Sequence, residues 1–397
     1  MNPTVYLTLA LALAVAPAVR AQSAGDAFSS LTDSIVANNI LAKYNLSKHR
    51  SDSLALLSDN NLSDPEIEFS HLWGQKGVGN KWSVGVSQSF EWPSVYSSRR
   101  KEIASANEAI AYELDASLID IRRQVSSALI DYVYASKLVE LNASIVSNID
   151  SLSALYSRGF DLGEVTRLDI NKLRIERISA AKGLSEARVR LDDAVGRLTA
   201  LNGGSLPQRL MTLNSYPDRM LRPENQYIAE ALSLNPNLGY LDAMRQNVSQ
   251  RAATLSRQRF PGFSVGYNYE NEMGEHFNGF SVGLTLPVFS TRHKASAASA
   301  AAVDMDLRIL DEKATVTADV KADYARARSL LSDIMLYRSA LDDADNMRLL
   351  AKALAGGQIS LTEYLLQVRY FLEAKLDYLE LDYQYQLCVS RLERFAR

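Results

Sequence analysis

The stretch that decides the fold reads WSVGVSQSFEWP at residues 82–93. Five large apolar side chains alternate there with small or polar residues, and a period of two is typical of a strand with one apolar face. Three other runs share this alternation, at 67–73, 263–269 and 280–286. We therefore predict four strands per chain, grouped in two pairs at residues 65–92 and 261–288.

Long helices are predicted to follow each strand pair. The chain of 397 residues has only 19 Gly and 10 Pro, so long stretches lack the residues that end helices. The helix after Pro93 is predicted to run from about Ser94 to about Tyr156, roughly 90 Å at 1.5 Å per residue. A compact domain has no room for such a helix. Its charged faces fit a helical barrel with a wet interior, although a solvated coiled-coil surface gives the same pattern.

A shift of the sequence by 194 residues aligns the chain with itself over more than a hundred residues. We therefore predict two structural repeats, 22–201 and 224–397, joined by a linker at 202–223 that is rich in Gly and Pro. Each repeat is predicted to contain a helix, a strand pair and two long helices, at 94–201 in the first and 289–397 in the second. The aligned pairs include Gly85 with Gly279, Pro93 with Pro287, Gly163 with Gly357, Asp169 with Glu363, and Arg197 with Arg391.

Residues 1–21 are predicted to be a signal peptide. The apolar run from Val5 to Val19 is too short to span a bilayer comfortably, and Val19-Arg20-Ala21 offers small side chains at the usual cleavage positions before Gln22. A short transmembrane anchor is the alternative. No later run of about 18 apolar residues follows, so we expect any membrane insertion to use the strands.

Strand length and number point to an oligomer if the strands span a membrane. Strands of about 11 residues tilted by about 45° rise about 26 Å, which matches the apolar band of an outer-membrane barrel. Four strands cannot close, because the smallest such barrels have about 8 and open edges are not tolerated in lipid. A soluble sheet packed on helices gives the same alternation and is the alternative.

Composition argues against several classes of protein. The single cysteine, Cys388, excludes an internal disulfide and Cys-based zinc clusters, and the formal net charge of -3 gives no basic footprint for nucleic acid. We predict no enzyme, no cofactor and no metal site, because no nucleophile stands with a base. The weak alternative is a soft-metal site at Met273, Glu275 and His276.

Several motifs carry a resemblance to a known family. Asn-rich segments precede each strand pair, at 38–41 and 235–238, and the motifs at 61–66 and 88–93 are followed by Arg99-Arg100. With the duplicated unit of strand pair, Pro, long helix, Gly turn and second helix, the chain resembles the TolC family of outer-membrane efflux proteins. It is most similar to the CzcC-like branch that serves heavy-metal pumps.

The resemblance implies both the assembly and the function. Three copies would form a homotrimer with a 12-stranded β-barrel in the outer membrane and a helical barrel in the periplasm. The trimer would be the exit duct of a tripartite efflux pump, with a periplasmic adaptor and an inner-membrane transporter of the RND type as partners and heavy-metal cations as candidate substrates. The alternatives are type I secretion, drug efflux, or a soluble periplasmic helical-hairpin scaffold or adaptor.

Two turns match the helix-hairpin tips of that family, which meet the adaptor. Six residues past each tip glycine stand the acidic residues Asp169 and Glu363. The resemblance implies that the second of them lines the closed mouth of the tunnel, where a ring of three carboxylates would favour cations. A structural role is the alternative, since a left-handed turn needs Gly and a carboxylate early in a helix favours the helix dipole. The tip residues are Leu162, Gly163 and Glu164 in the first turn, and Gly356, Gly357 and Gln358 in the second.

Overall fold

The computed structural model describes residues 24–75, 77, 79–163, 165–287, 293–342 and 346–395, and it is mainly helical with one antiparallel sheet. The predicted signal peptide lies outside the described residues. The first half consists of α1 Ala24–Asn38, α2 Ile40–Ser58, β1 Glu66–Trp73, β2 Asn80–Phe90, α3 Pro93–Asp161 and α4 Arg167–Leu201. The second half consists of α5 Glu224–Leu234, α6 Pro236–Arg257, β3 Gly262–Glu272, β4 Glu275–Thr285, α7 Lys294–Asp342, α8 Asn346–Ala355 and α9 Leu361–Leu392.

The four predicted strands are present and form one sheet in the order β1-β2-β3-β4. All three pairings are antiparallel, and one row across the sheet runs from Ile67 through Val86 and Tyr267 to Phe280. The two strand pairs therefore meet through β2 and β3. Strands β1 and β4 are the edges of the sheet.

The apolar face of the sheet is open to its surroundings. Phe280 is 86% exposed and Val282 is 75% exposed, which leaves side chains that normally lie in a core without cover in the single chain. The other members of this face with large exposed side chains are Ile67, Phe69, Trp73, Val86, Val265, Tyr267 and Leu284.

The polar face of the sheet is crowded. A Cβ added to Gly266 would lie 2.7 Å from Ser281 Oγ and 3.0 Å from the carbonyl oxygen of Val86. Glycine is the residue that lets strands bend where inward side chains converge. We infer that the polar face is the concave side of a curved sheet and that the apolar face is convex.

Helix α3 is longer than the sequence predicts. It begins at Pro93, whose fixed φ suits the first helical position, and it continues to Asp161 instead of ending near Tyr156. Its 69 residues span about 100 Å at 1.5 Å per residue. The chain therefore extends far from the sheet along this helix.

The prediction of one helix before each strand pair is wrong, because each half has two. The breaks fall at Asn39 and Asn235, both buried. The Asn39 side chain accepts a hydrogen bond from the N–H of Ala42, and Asn235 accepts one from Asn237, both at 3.0 Å. An Asn cap satisfies an N–H that the new helix leaves unpaired, so a second helix begins at each site.

The second half carries its long helices as α7, α8 and α9. Residues 289–292, 343–345 and 396–397 of the predicted range 289–397 lie outside the described residues. Within the part of the chain that the structure covers, no helix combines the length and the hydropathy of a transmembrane span.

The hydrophobic core lies between helices and under the linker, and the described strands contribute no large buried side chain to it. One cluster joins α1, α3, α4 and the linker, and another joins α5, α7 and α9. Leu198 and Leu392, which the 194-residue shift aligns, are both buried in these clusters. The arginines before them pair with aspartates on the long helices: Arg197 with Asp131 at 2.9 Å and Arg391 with Asp323 at 2.7 Å.

Candidate functional site: the two hairpin tips

The predicted tip residues lie in the turns that end the two helical hairpins. The first turn, 162–166, joins α3 to α4, and the second turn, 356–360, joins α8 to α9. Leu162 is 74% exposed at the end of α3. Glu164 lies outside the described residues. Both turns have the same length, so the two halves end their hairpins alike.

A left-handed glycine closes each helix. Gly163 has φ +80° and donates its N–H to the carbonyl of Phe160 at 3.0 Å, and Gly357 has φ +67° and donates to Leu354 at 3.1 Å. Gln358 then donates to the carbonyl of Ala353 at 2.9 Å, which completes a Schellman motif. The space around both glycines is open, so the backbone angle itself is what requires glycine there.

A hydroxyl side chain starts the helix after each turn. Thr166 caps α4 by accepting the N–H of Asp169 at 3.2 Å, and Ser360 caps α9 by accepting the N–H of Glu363 at 3.2 Å. Asp169 and Glu363 therefore occupy the third position of their helices, where a negative charge interacts favourably with the helix dipole. Both acidic residues therefore stand where the structural alternative places them, at the start of a helix with their charge toward the positive end of its dipole.

The carboxylate of Asp169 is held at the first tip. It accepts a hydrogen bond from the Thr166 hydroxyl at 2.6 Å and lies 3.7 Å from the ammonium of Lys172. Lys172 also donates to the hydroxyl of Thr362 at 2.7 Å, which ties the start of α4 to the start of α9. Burial raises the pKa of the nearby Tyr156 phenol, and the charge of Asp169 adds to the rise.

The carboxylate of Glu363 is exposed at the second tip and makes no hydrogen bond or ion pair with the described residues. Its neighbour Tyr364 is only 2% exposed. The Asn148 amide donates to the Tyr364 hydroxyl at 3.2 Å and so fixes the first turn of α9 against α3. The buried tyrosine thus leaves Glu363 on the outer side of the turn.

Sequence reasoning missed the contacts that join the two tips. Lys172 and Thr362 are 190 residues apart, and Asn148 and Tyr364 are 216 apart. The only available signal was Tyr364 itself, an aromatic residue at a helical spacing from Leu361 and Val368. The structure brings Asp169 and its partners next to the second tip, which spacing alone did not predict.

The histidine of the weak metal candidate is engaged within the sheet. His276 Nδ1 lies 2.7 Å from the Tyr269 hydroxyl and 3.0 Å from the Asn271 amide nitrogen. Across the described residues, no three His, Cys, Asp or Glu side chains form a group that could hold a metal ion.

No family model matches the chain. The chain is 26% identical over 175 residues to the cobalt-zinc-cadmium resistance protein CzcC of Cupriavidus metallidurans, and the match covers 43% of this chain and 41% of that relative. The matched stretch is thus less than half of either protein.

Solved structures match over almost the whole chain. The crystal structure of CusC has a TM-score of 0.72 at 15% identity and covers 92% of this chain and 91% of its own. The CmeC outer-membrane channel of Campylobacter jejuni has a TM-score of 0.73 at 13% identity, with coverage of 92% and 84%. The chain therefore has the fold of these outer-membrane channels.

Proposed function

We propose that three copies of this chain form the outer-membrane exit duct of a tripartite efflux pump. The observation that carries the proposal is the antiparallel sheet with an exposed apolar face, followed by a helix about 100 Å long. A duct that begins in lipid and extends through an aqueous compartment needs both parts. A passive duct of this kind needs no catalytic group.

The sheet supports closure by oligomerisation. Three of its strands have 11 residues, and such strands tilted by about 45° rise about 26 Å, the height of an outer-membrane apolar band. The edges β1 and β4 would be costly in lipid unless each paired with another copy. Three copies would give a closed barrel of 12 strands, the number that the family resemblance implies.

The hairpin tips support docking to other proteins. They lie at the far end of the long helices from the sheet, and the exposed Leu162 and the open space around Gly163 and Gly357 leave room for a partner. The partner in the proposal is a periplasmic adaptor. The adaptor would connect the duct to an inner-membrane transporter of the RND type.

The carboxylate of Glu363 is the better candidate for the tunnel constriction. Its exposure leaves it free to meet its copies in a trimer, whereas Asp169 is already engaged by Thr166 and Lys172. Three carboxylates in a narrow opening attract cations and repel anions. We propose that Asp169 lines the same constriction and contributes less to its negative charge than Glu363 does.

Divalent metal cations are the proposed substrate class. The concave face of the sheet would line the duct, and it carries five carboxylates and one ammonium. The relative CzcC is named for resistance to cobalt, zinc and cadmium. The charged residues of the concave face are Glu66, Glu68, Lys81, Glu270, Glu272 and Glu275.

Metal accumulation in the host tests the proposal. A strain without this gene, loaded with cobalt, zinc or cadmium, is expected to retain more metal than the parent, and the intact gene is expected to restore export. The matched control is the same gene carrying Gly357→Val. This variant still produces the full-length protein and alters only the second tip. Equal retention in the parent and the deleted strain for all three metals would overturn the metal substrate.

A further inference from the structure

An aromatic pair marks the level at which the sheet gives way to the helices. Helix α3 begins at Pro93, directly after β2, and α6 ends shortly before β3. The rings of Trp92 and Phe260 stack there with their centroids 6.1 Å apart, so the two helix ends lie side by side. Trp92 is 45% exposed and Phe260 is 52% exposed. Aromatic side chains collect at the edges of the apolar band of a membrane barrel, so this pair marks the edge nearest the helices.

Four basic side chains lie next to this aromatic pair. Two of them lie within three residues of Phe260, and the other two lie within about 12 Å of the start of α3 at 1.5 Å per residue. Three are exposed and one is half-buried. None of the four makes an ion pair or a side-chain hydrogen bond with the described residues. The members of this basic cluster are Arg100, Lys101, Arg257 and Arg259.

On α3, the cluster lies on the side of the apolar face of the sheet. Arg99 pairs with Glu91 at 2.5 Å, and Glu91 continues the alternation of the polar face of β2. Arg99 therefore lies on the side of the polar face. Lys101 follows two residues later, about 200° around the helix, and is exposed. Lys101 thus lies on the opposite side of α3 from Arg99.

On α6, the cluster lies on the same side as on α3. The Thr254 hydroxyl donates to the Ser98 hydroxyl at 3.2 Å, which places this face of α6 against α3. Leu255 lines a cleft together with Arg99, so it lies on the side of the polar face. Arg257 follows Leu255 by two residues, about 200° around the helix. Arg257 therefore lies toward the apolar face, as Lys101 does.

Charge is segregated between the two sides at this level. The acidic side chains Asp59 and Glu102 line the cleft with Arg99, on the side of the polar face. The segments 92–101 and 249–260 contain no aspartate or glutamate. The basic cluster is therefore not neutralised within its own surface, and such a surface attracts an anionic partner.

The other end of the strands has no comparable charge. Lys81 is the only lysine or arginine within the four described strands, and it pairs with Glu270 and Glu272 on the polar face. The apolar face has an uncharged or titratable row at that end instead. This row crosses the sheet through His71, Trp82, Asn271 and His276.

We propose that the basic cluster binds the phosphate groups of anionic glycerophospholipids in the periplasmic leaflet of the outer membrane. The inference rests on the proposed insertion of the sheet in that membrane. Each headgroup layer is about 5–7 Å thick. Long Lys and Arg side chains extend toward such a layer from positions below it, and the guanidinium group binds phosphate through two parallel hydrogen bonds. These contacts hold the duct at the height that Trp92 and Phe260 mark.

Fluorescence quenching by brominated lipids tests the proposal. The chain has three tryptophans, so Trp73→Phe with Trp82→Phe leaves Trp92 as the only one. The full chain is reconstituted in bilayers of phosphatidylcholine and phosphatidylglycerol, in which one lipid or the other carries dibrominated acyl chains. Brominated phosphatidylglycerol is expected to quench Trp92 more strongly than brominated phosphatidylcholine at the same fraction. The expected enrichment of the anionic lipid is on the order of fivefold.

Two variants with the same change of charge locate the site. Lys101→Gln is expected to lower the enrichment about twofold or more. The matched control is Arg251→Gln, which removes one positive charge at the same level on the side of the polar face and should leave the enrichment unchanged. Arg257→Gln provides a second test if the Lys101 variant does not reach the bilayer. Replacement of all four members of the basic cluster by Gln should bring the enrichment to about one.

The outcomes separate this inference from the proposed duct. Equal quenching by the two lipids, in trimers that conduct, would overturn the basic cluster as a lipid site and leave the duct intact. An equal loss of enrichment in Lys101→Gln and Arg251→Gln would also overturn it. Absence of quenching by either lipid would mean that the sheet does not lie in a bilayer, which would overturn the duct itself.

Discussion

At the first hairpin tip the carboxylate of Asp169 accepts a hydrogen bond from Thr166 and lies close to Lys172, whereas at the second tip the carboxylate of Glu363 is exposed. The described parts of the two turns share their main backbone features. Each has a left-handed glycine and a hydroxyl cap that accepts the N–H of the acidic residue. The two tips therefore differ in their side-chain contacts and share the glycine and the cap.

The difference separates the two roles of an acidic residue at a helix start. Both Asp169 and Glu363 complement the helix dipole. The carboxylate of Glu363 has no partner among the described residues, whereas Lys172 offsets the charge of Asp169 and binds Thr362 as well. The two tips thus keep the same kind of turn while their side-chain contacts differ.

The largest expected effect follows from breaking the shared backbone. Gly357→Val or Gly163→Val should abolish export while trimers remain in the membrane, because a β-branched residue at positive φ costs about 1–3 kcal/mol and distorts the turn. Export is measured as metal retained by cells, and trimers are measured on unboiled gels. Gly196→Val is the control, since Gly196 is exposed within α4 and has open space around it. Normal export by both tip variants would contradict the docking role.

The next effect should distinguish the two acidic residues. Glu363→Gln should lower the cation preference of the reconstituted channel more than Asp169→Asn. Removal of an exposed charge at a constriction is worth on the order of 1 kcal/mol, or about fivefold in the permeability ratio. The reversal potential in a salt gradient measures the ratio. An unchanged value for Glu363→Gln would remove this residue from the constriction.

A smaller effect is expected when the first tip is made more like the second. Lys172→Met removes the charge that offsets Asp169, so the channel should become more cation-selective. The size of this shift in the permeability ratio should be smaller than the shift that Glu363→Gln produces in the opposite direction. The double variant with Asp169→Asn should return the reversal potential to near the parent value. A shift that persists in the double variant would mean that Lys172 acts without Asp169.

The smallest effect concerns the two caps. Thr166→Ala and Ser360→Ala should each destabilise the first turn of the following helix by about 1 kcal/mol. Thr166→Ala should cost more, because Asp169 also loses the hydrogen bond from the Thr166 hydroxyl. Amide hydrogen exchange of α4 and α9 measures both effects. Faster exchange after Ser360→Ala than after Thr166→Ala would contradict the difference between the tips.

Local chemistry explains which parts of the fold were predictable. The alternation at residues 82–93 predicts β2 because side chains of a strand point to opposite faces in turn. Gly163 and Gly357 predict the turns because few other residues adopt a positive φ. The breaks at Asn39 and Asn235 were missed as helix ends, although Asn is a frequent cap.

Contacts between distant segments account for what the sequence could not predict. The contact of Lys172 with Thr362 depends on how one hairpin packs against the other, and no local pattern encodes that packing. The burial of Tyr364 against Asn148 has the same origin. The acidic residues could be found from the sequence, and so could Lys172 three residues after Asp169 on the same helix, but the contacts that join the two tips required the structure.

One measurement tests the central claim most directly: fractionation of the host, followed by unboiled gel electrophoresis and single-channel recording of the purified protein. The account predicts a trimer in the outer membrane with discrete, cation-biased conductance. A soluble periplasmic monomer without conductance would contradict it, because the apolar face of the sheet would then never meet lipid.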